Sequence, residues 1–136
     1  MSELKVDKFT GVTTAGSIDV TGEGNSTTTN LQQGLAKAWY VFDGGRTSGT
    51  TSIEDDFNIA SLVDNGTGDT TLTFTNNMNS ATTYTVVNST FITSSQSDMS
   101  GCIERTTSTH TVQDSHDNGA ATDMERTYGT VHGDLA

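Results

Sequence analysis

The stretch DFNIASLVDNGTGDTTLTFT, residues 56–75, decides the fold class. Phe57, Ile59 and Ser61 alternate with Asn58 and Ala60, and Leu72 and Phe74 alternate with Thr71, Thr73 and Thr75. Successive side chains of a strand point to opposite faces, so a period of two marks strands with one buried face. Between the runs lies Asp64-Asn65-Gly66-Thr67-Gly68-Asp69, where Asn-Gly supplies the positive φ angles of a hairpin turn. The segment reads as two strands around a tight turn, the signature of a β-built module.

Upstream, Trp39-Tyr40-Val41-Phe42 is the richest apolar run. Four such residues in a row predict a strand buried on both faces, one on its own core and the other against a neighbouring subunit. Asp43-Gly44-Gly45 marks a turn after it. Residues 30–38, NLQQGLAKA, are the one helix-like segment. Asn30 suits an N-cap, but Gly34 costs about 1 kcal/mol inside a helix, so a single turn or a strand lead-in fits equally. Downstream, strands are expected at Tyr84–Val87, Thr90–Thr93, Ile103–Val112 and Met124–Val131. Residues 94–101 read as a loop and 113–119, QDSHDNG, as a turn cluster. Leu4, Val6, Phe9, Val12, Ile18 and Val20 alternate weakly, broken by glycines, and 21–30 is poor in apolar residues. The chain therefore divides into an N-terminal arm and linker, residues 1–30, and an all-β, antiparallel sandwich-like domain, residues 31–136.

Composition narrows the function. Only 31% of the residues are hydrophobic, a thin supply for the core of a lone monomer, and self-association would add buried area. About one residue in five is Thr, a β-former, and Pro is absent, so no segment is barred from pairing as a strand. The 17 acidic and 6 basic residues give a net charge of −11. That balance argues against binding nucleic acid or an anionic membrane, both of which require clustered Lys and Arg. Cys102 is the only cysteine, so an intrachain disulfide is excluded. MSELKVDKFTG lacks the apolar run of a signal peptide, and no window reaches the roughly 20 apolar residues of a membrane span. The expectation is synthesis in a cytoplasm without standard export.

Catalytic and metal signals are weak. His110, His116 and His132 lie among Asp114, Asp117 and Asp134, and Ser115-His116-Asp117 holds triad ingredients. A triad is a spatial arrangement, however, and sequence adjacency says little about it. Residues 64–69 resemble a calcium loop only loosely, lacking a closing Glu and flanking helices. We therefore expect no enzyme, no catalytic residue, no metal site and no cofactor. Trp39, Tyr40 and Phe42 serve either as core, the commoner role, or as interface hot spots. With Leu4, Val6 and Phe9 of the arm they form the candidate oligomer or docking interface.

Residues 31–42, LQQGLAKAWYVF, and 56–74 resemble a β-domain of virion proteins from marine, cyanophage-like tailed bacteriophages, including their tail fibres. In that family a KAW segment precedes a hairpin of the form DSFNV…DNGTGDYTVNFT. Lys37-Ala38-Trp39, Phe57-Asn58, Asp64 to Asp69, and Thr73-Phe74 carry the match, with weaker likeness at Tyr84, Val86 and Tyr128 to Asp134. This chain departs from the pattern at Ile53-Glu54-Asp55 and Asn77-Met78-Asn79. The resemblance implies a structural protein on the outer surface of a phage virion: a capsid-associated decoration or knob that docks through its arm and self-associates. The alternative is a short tail-fibre or appendage module that binds the host surface. The implied partners are further copies of itself, with a trimer among the open orders, and a major capsid or tail protein.

Overall fold

A computed structural model describes residues 5–8, 18–21, 28–93 and 98–136. The chain separates into two compact units, residues 1–35 and 36–136. In the first, β1 (Asp19–Thr21) pairs antiparallel with β2 (Thr28–Asn30), so residues 1–30, read as an arm of one or two short strands, hold two, and β2 lies in the stretch 21–30 read as a linker. A single helical turn, α1 (Leu31–Gly34), follows, as short as the Gly34 penalty suggests.

The second unit holds eight strands: β3 (Ala38–Gly44), β4 (Thr51–Phe57), β5 (Ile59–Gly66), β6 (Asp69–Phe74), β7 (Thr85–Phe91), β8 (Asp98–Arg105), β9 (Thr109–His116) and β10 (Arg126–His132). They form two antiparallel four-stranded sheets, ordered β4-β3-β10-β7 and β5-β6-β9-β8, which pack together as a β-sandwich. The core draws from both: Ala38, Tyr40, Phe42 and Val131 from the first sheet, Ile59, Leu72, Phe74 and Val112 from the second. Met78 and Tyr84, from the segment between β6 and β7, complete it. Tyr84 stands edge-on to Phe74 at 5.9 Å, and its hydroxyl donates to the carbonyls of Thr106 and Thr109, both at 3.1 Å.

The decisive hairpin is present as β5–β6, but its details correct the expectation. The two turn residues are Thr67 and Gly68, and the positive φ angles fall on Gly66 and Gly68 instead of Asn65. At Gly68 (φ 68°) a Cβ would lie 2.4 Å from the Asp114 carbonyl oxygen, so the site needs glycine for space as well as conformation. Phe57 and Ile59, read as neighbours on one strand, lie in different sheets. Asn58 between them adopts the left-handed conformation (φ 63°) and turns the chain from β4 into β5. Its amide donates to the carbonyls of Lys37 (2.9 Å) and Asn76 (3.1 Å), and its Oδ1 accepts from the Asn76 backbone N–H (2.7 Å). Asn tolerates this conformation because its short side chain bonds locally.

Four further readings change. The strand expected over Ile103–Val112 is the β8–β9 hairpin, turned at Thr106–Ser108, where the Thr106 hydroxyl accepts from the backbone N–H groups of Ser108 and Thr109. β8 begins at Asp98, inside the expected loop. The two strands placed at 84–87 and 90–93 are one, β7, in unbroken register along β10. Trp39–Phe42, expected to be buried on both faces, alternates instead: Ala38, Tyr40 and Phe42 point inward, while Trp39 and Val41 are only half-buried on the outer face.

That phase depends on a close approach. Gly129 of β10 sits opposite Tyr40 in the register, and a Cβ on it would fall 2.1 Å from Cζ of the Tyr40 ring. The Tyr40 side chain lies across the backbone of β10 to reach Asn88 of β7 and His110 of β9. We expect Gly129→Ala to cost at least about 2 kcal/mol in denaturant unfolding, because the buried ring is held in place by Asn88 and His110. Gly101→Ala, where nothing lies within 4 Å of the added Cβ, should be neutral or slightly stabilising. Equal effects at the two positions would show that Tyr40 does not require the space.

Candidate functional site

The outer face of the β4-β3-β10-β7 sheet carries the most distinctive surface of the second unit. Alternation along β3, β10 and β7 turns Trp39, Val41, Tyr128, Thr130, Val87 and Ser89 outward. The register sets them in two adjacent rows: Trp39, Thr130 and Val87 in one, Val41, Tyr128 and Ser89 in the other. Together with the backbone of Tyr40, Asn88 and Gly129 they line an open groove of about 420 Å³. Trp39 and Tyr128 sit diagonally on neighbouring strands, a spacing of about 7–8 Å that places two aromatic side chains next to each other on the outer face. Phe57, opposite Trp39 on β4 and 52% exposed, extends the apolar row, and Val87 at the far side is 65% exposed.

No lining residue carries a carboxylate, ammonium or guanidinium group. The nearest charges along β4 and β10 are Asp55, opposite Val41, and the Arg126–Glu54 ion pair, with Nε and Oε2 2.7 Å apart. Within the described residues, the hydroxyls of Ser89, Thr130 and Tyr128 and the Trp39 indole N–H make no side-chain hydrogen bond to the protein. The groove thus offers apolar faces bordered by uncharged hydrogen-bonding groups.

Of the predicted interface residues, Trp39 lies in this groove. Tyr40 and Phe42 are core residues, because the strand phase turns them between the sheets. Val6 is exposed in the first unit, and Leu4 and Phe9 lie outside the described residues. Reading Trp39–Phe42 as doubly buried obscured the partners of Trp39. The signal that finds them is alternation: Tyr128 and Thr130 flank Gly129, and Val87 and Ser89 flank Asn88.

The histidines are separate. His110 is fully buried between Tyr40 and Phe74, its ring centroid 5.3 Å from each and its plane tilted by 33° and 31° to theirs. The Tyr40 hydroxyl donates to Asn88 Oδ1 (2.6 Å), leaving its oxygen to accept from His110 Nε2–H (2.9 Å). That tautomer makes Nδ1 a buried acceptor without a partner. Burial lowers the His110 pKa to about 4. His116 Nδ1 lies 2.8 Å from Asp98 Oδ1, so the carboxylate beside it is not the adjacent Asp117. Asp114 is buried, and its Oδ2 accepts from the Thr127 hydroxyl at 2.6 Å. Its Oδ1, like the Ser100 hydroxyl opposite it in the register, makes no hydrogen bond of normal geometry. Burial raises the Asp114 pKa above the ordinary carboxylate range, the Asp123 and Asp98 charges add to the rise, and the Ser100 and Thr127 hydroxyls partly offset it. In the 64–69 loop, Asp64 accepts from Thr51 and from the Gly66 N–H, and Asp69 accepts from Asn65, so these oxygens build the turn. Among the described residues, no group of three or more His, Cys, Asp or Glu side chains is placed to hold a metal ion. No helix of the described residues is long and apolar enough to cross a membrane.

Comparison of the chain with protein-family models, with curated proteins and with solved structures finds no match.

The buried pair predicts an unusual pH profile. The folded state holds His110 neutral down to about pH 4, whereas the unfolded chain protonates it near 6.5. This contribution to stability is complete above pH 6.5 and falls by about 3 kcal/mol as the pH drops to 4. His110→Phe should flatten the profile across that window in chemical denaturation, and an unchanged slope would overturn the assignment. Asp114 acts in the opposite sense. Its raised pKa favours the folded state at low pH, and that advantage is lost as the pH rises, so Asp114→Asn should raise stability at pH 7 relative to acid pH in the same denaturation series.

Proposed function

We propose that this chain is a non-catalytic structural module on the outer surface of a tailed-bacteriophage virion, a capsid-associated decoration or knob. It docks through its N-terminal arm and self-associates. The observation that carries the reading is the all-β sandwich itself, built from the segments that share the virion-protein resemblance. The histidines, the main catalytic candidates, have structural surroundings: His110 lies in the core and His116 pairs with Asp98. The net charge of −11 favours dispersed particles and disfavours contact with packaged nucleic acid. Apolar area buried between copies would stabilise an assembly by about 25 cal/mol per Å².

A second reading, a short fibre or appendage module that contacts the host, is favoured by the openness of the groove over β3, β10 and β7. Copy number separates the two. Quantitative mass spectrometry of purified virions, normalised to the major capsid protein, should give about one copy per few capsid subunits for a decoration. A few copies per particle would establish the appendage, and absence from the particle would overturn both.

The arm has its own test. Residues 36–136 form a compact unit by themselves, so a chain starting at Ala36 should fold, with a cooperative melt close to that of the full chain. It should also fail to bind particles that lack the protein. Binding equal to that of the full chain would remove the arm from the docking mechanism.

A further inference from the structure

We propose that the groove over β3, β10 and β7 is a binding site for a neutral saccharide. The inference stands on the groove alone and does not depend on where in a particle the chain resides. Three observations converge. The first is the lining: Trp39 and Tyr128 place two aromatic side chains diagonally next to each other on the outer face of the sheet, flanked by Val41 and Val87. A pyranose ring has one face of C–H groups, which the negative face of an aromatic ring attracts. The second is hydrogen bonding. The Ser89 and Thr130 hydroxyls border the platform and make no side-chain hydrogen bond within the described residues, and the Trp39 indole N–H is in the same state. Uncharged donors and acceptors around an apolar floor match the equatorial hydroxyls of a sugar.

The third observation is charge. The lining is free of ionic groups, in a chain with 17 acidic and 6 basic residues. A neutral ligand loses no ionic solvation on entering such a groove, whereas uronic or sialic acids and phosphate-bearing polymers are repelled by the surrounding carboxylates. Size argues against a second copy as the occupant. Two rows on three strands, with strands spaced about 4.8 Å apart, cover a few hundred Å² at most. A stable dimer needs about 800 Å² from each partner.

Trp39 is the only tryptophan, so its emission reports on the site directly. The full-length protein would be titrated with maltohexaose, cellohexaose, mannohexaose and chitohexaose, and with hexagalacturonate as the anionic comparison. The expected result is a saturable change in Trp39 emission with at least one neutral hexaose in the millimolar range or tighter, and none with hexagalacturonate. Amide and indole shifts in the unmodified protein should map to Trp39, Val87, Ser89, Tyr128 and Thr130, which keeps the test valid if a variant fails to fold. Read by amide shifts, which do not need the indole, Trp39→Ala should weaken binding by about tenfold or more, and Ser89→Ala by a few-fold. No response to any neutral hexaose overturns the proposal, as does a stronger response to hexagalacturonate. Concentration-dependent self-association that shields Trp39 in sedimentation and quenching experiments also overturns it, by assigning the face to a second copy.

Discussion

The hydroxyl of Tyr40 is the contact on which the arrangement of the sandwich depends. It leaves β3, crosses the backbone of β10 at Gly129, donates to Asn88 of β7 and accepts from His110 of the opposite sheet. One side chain thus engages three strands of its own sheet and fastens that sheet to the other. Burial pushes its pKa far above the ordinary phenol value, so it remains a neutral donor at any working pH. Because strand side chains alternate, an inward Tyr40 also puts Trp39 and Val41 outside. The outer groove is therefore a geometric consequence of the buried polar contact.

This inner network combines rigidity with a local cost. A buried polar chain specifies a unique pairing of sheets only when its members are satisfied, and here Tyr40 and Asn88 are joined while His110 Nδ1 is not. The His110 ring offsets that cost by packing against Tyr40 and Phe74. A second polar contact, the Asp114 carboxylate accepting from the Thr127 hydroxyl, joins β9 to β10 across the two sheets. Both sit where an apolar side chain would serve for packing alone. Their value lies in fixing which strands meet, since a slip of one residue would turn every partner to the wrong face.

The all-β class and the β5–β6 hairpin were legible because period-two runs around a glycine-rich turn have few other solutions. The corner at Asn58 was not, because the apolar alternation of Phe57 and Ile59 continues unbroken across it. Only the left-handed conformation of Asn58 reveals the change of sheet. The β8–β9 turn was hidden for a related reason: it uses the Thr106 hydroxyl in place of Gly or Pro, in a run where threonine is everywhere. The candidate site was half visible. Trp39 stood out by type, but its partners Val41, Val87, Ser89, Tyr128 and Thr130 are ordinary strand residues. Their placement depends on register, which one sequence does not state.

The sheet edges show how the acidic composition is distributed. β4 carries Glu54, Asp55 and Asp56, and its pairing with β3 is interrupted by a bulge. β5 and β8 also pair through irregular registers, and β8 adds Asp98, Glu104 and Arg105. Charges and bulges are the standard means of discouraging further strand pairing. β7 has neither: Thr85–Phe91 contains no ionisable side chain and follows β10 without a register shift. An uncharged band therefore runs from the groove to the β7 edge within an acidic molecule. Whatever approaches there meets fixed charge only at the margins, at Asp55 and the Arg126–Glu54 pair, so recognition depends chiefly on shape, apolar contact and hydrogen bonding.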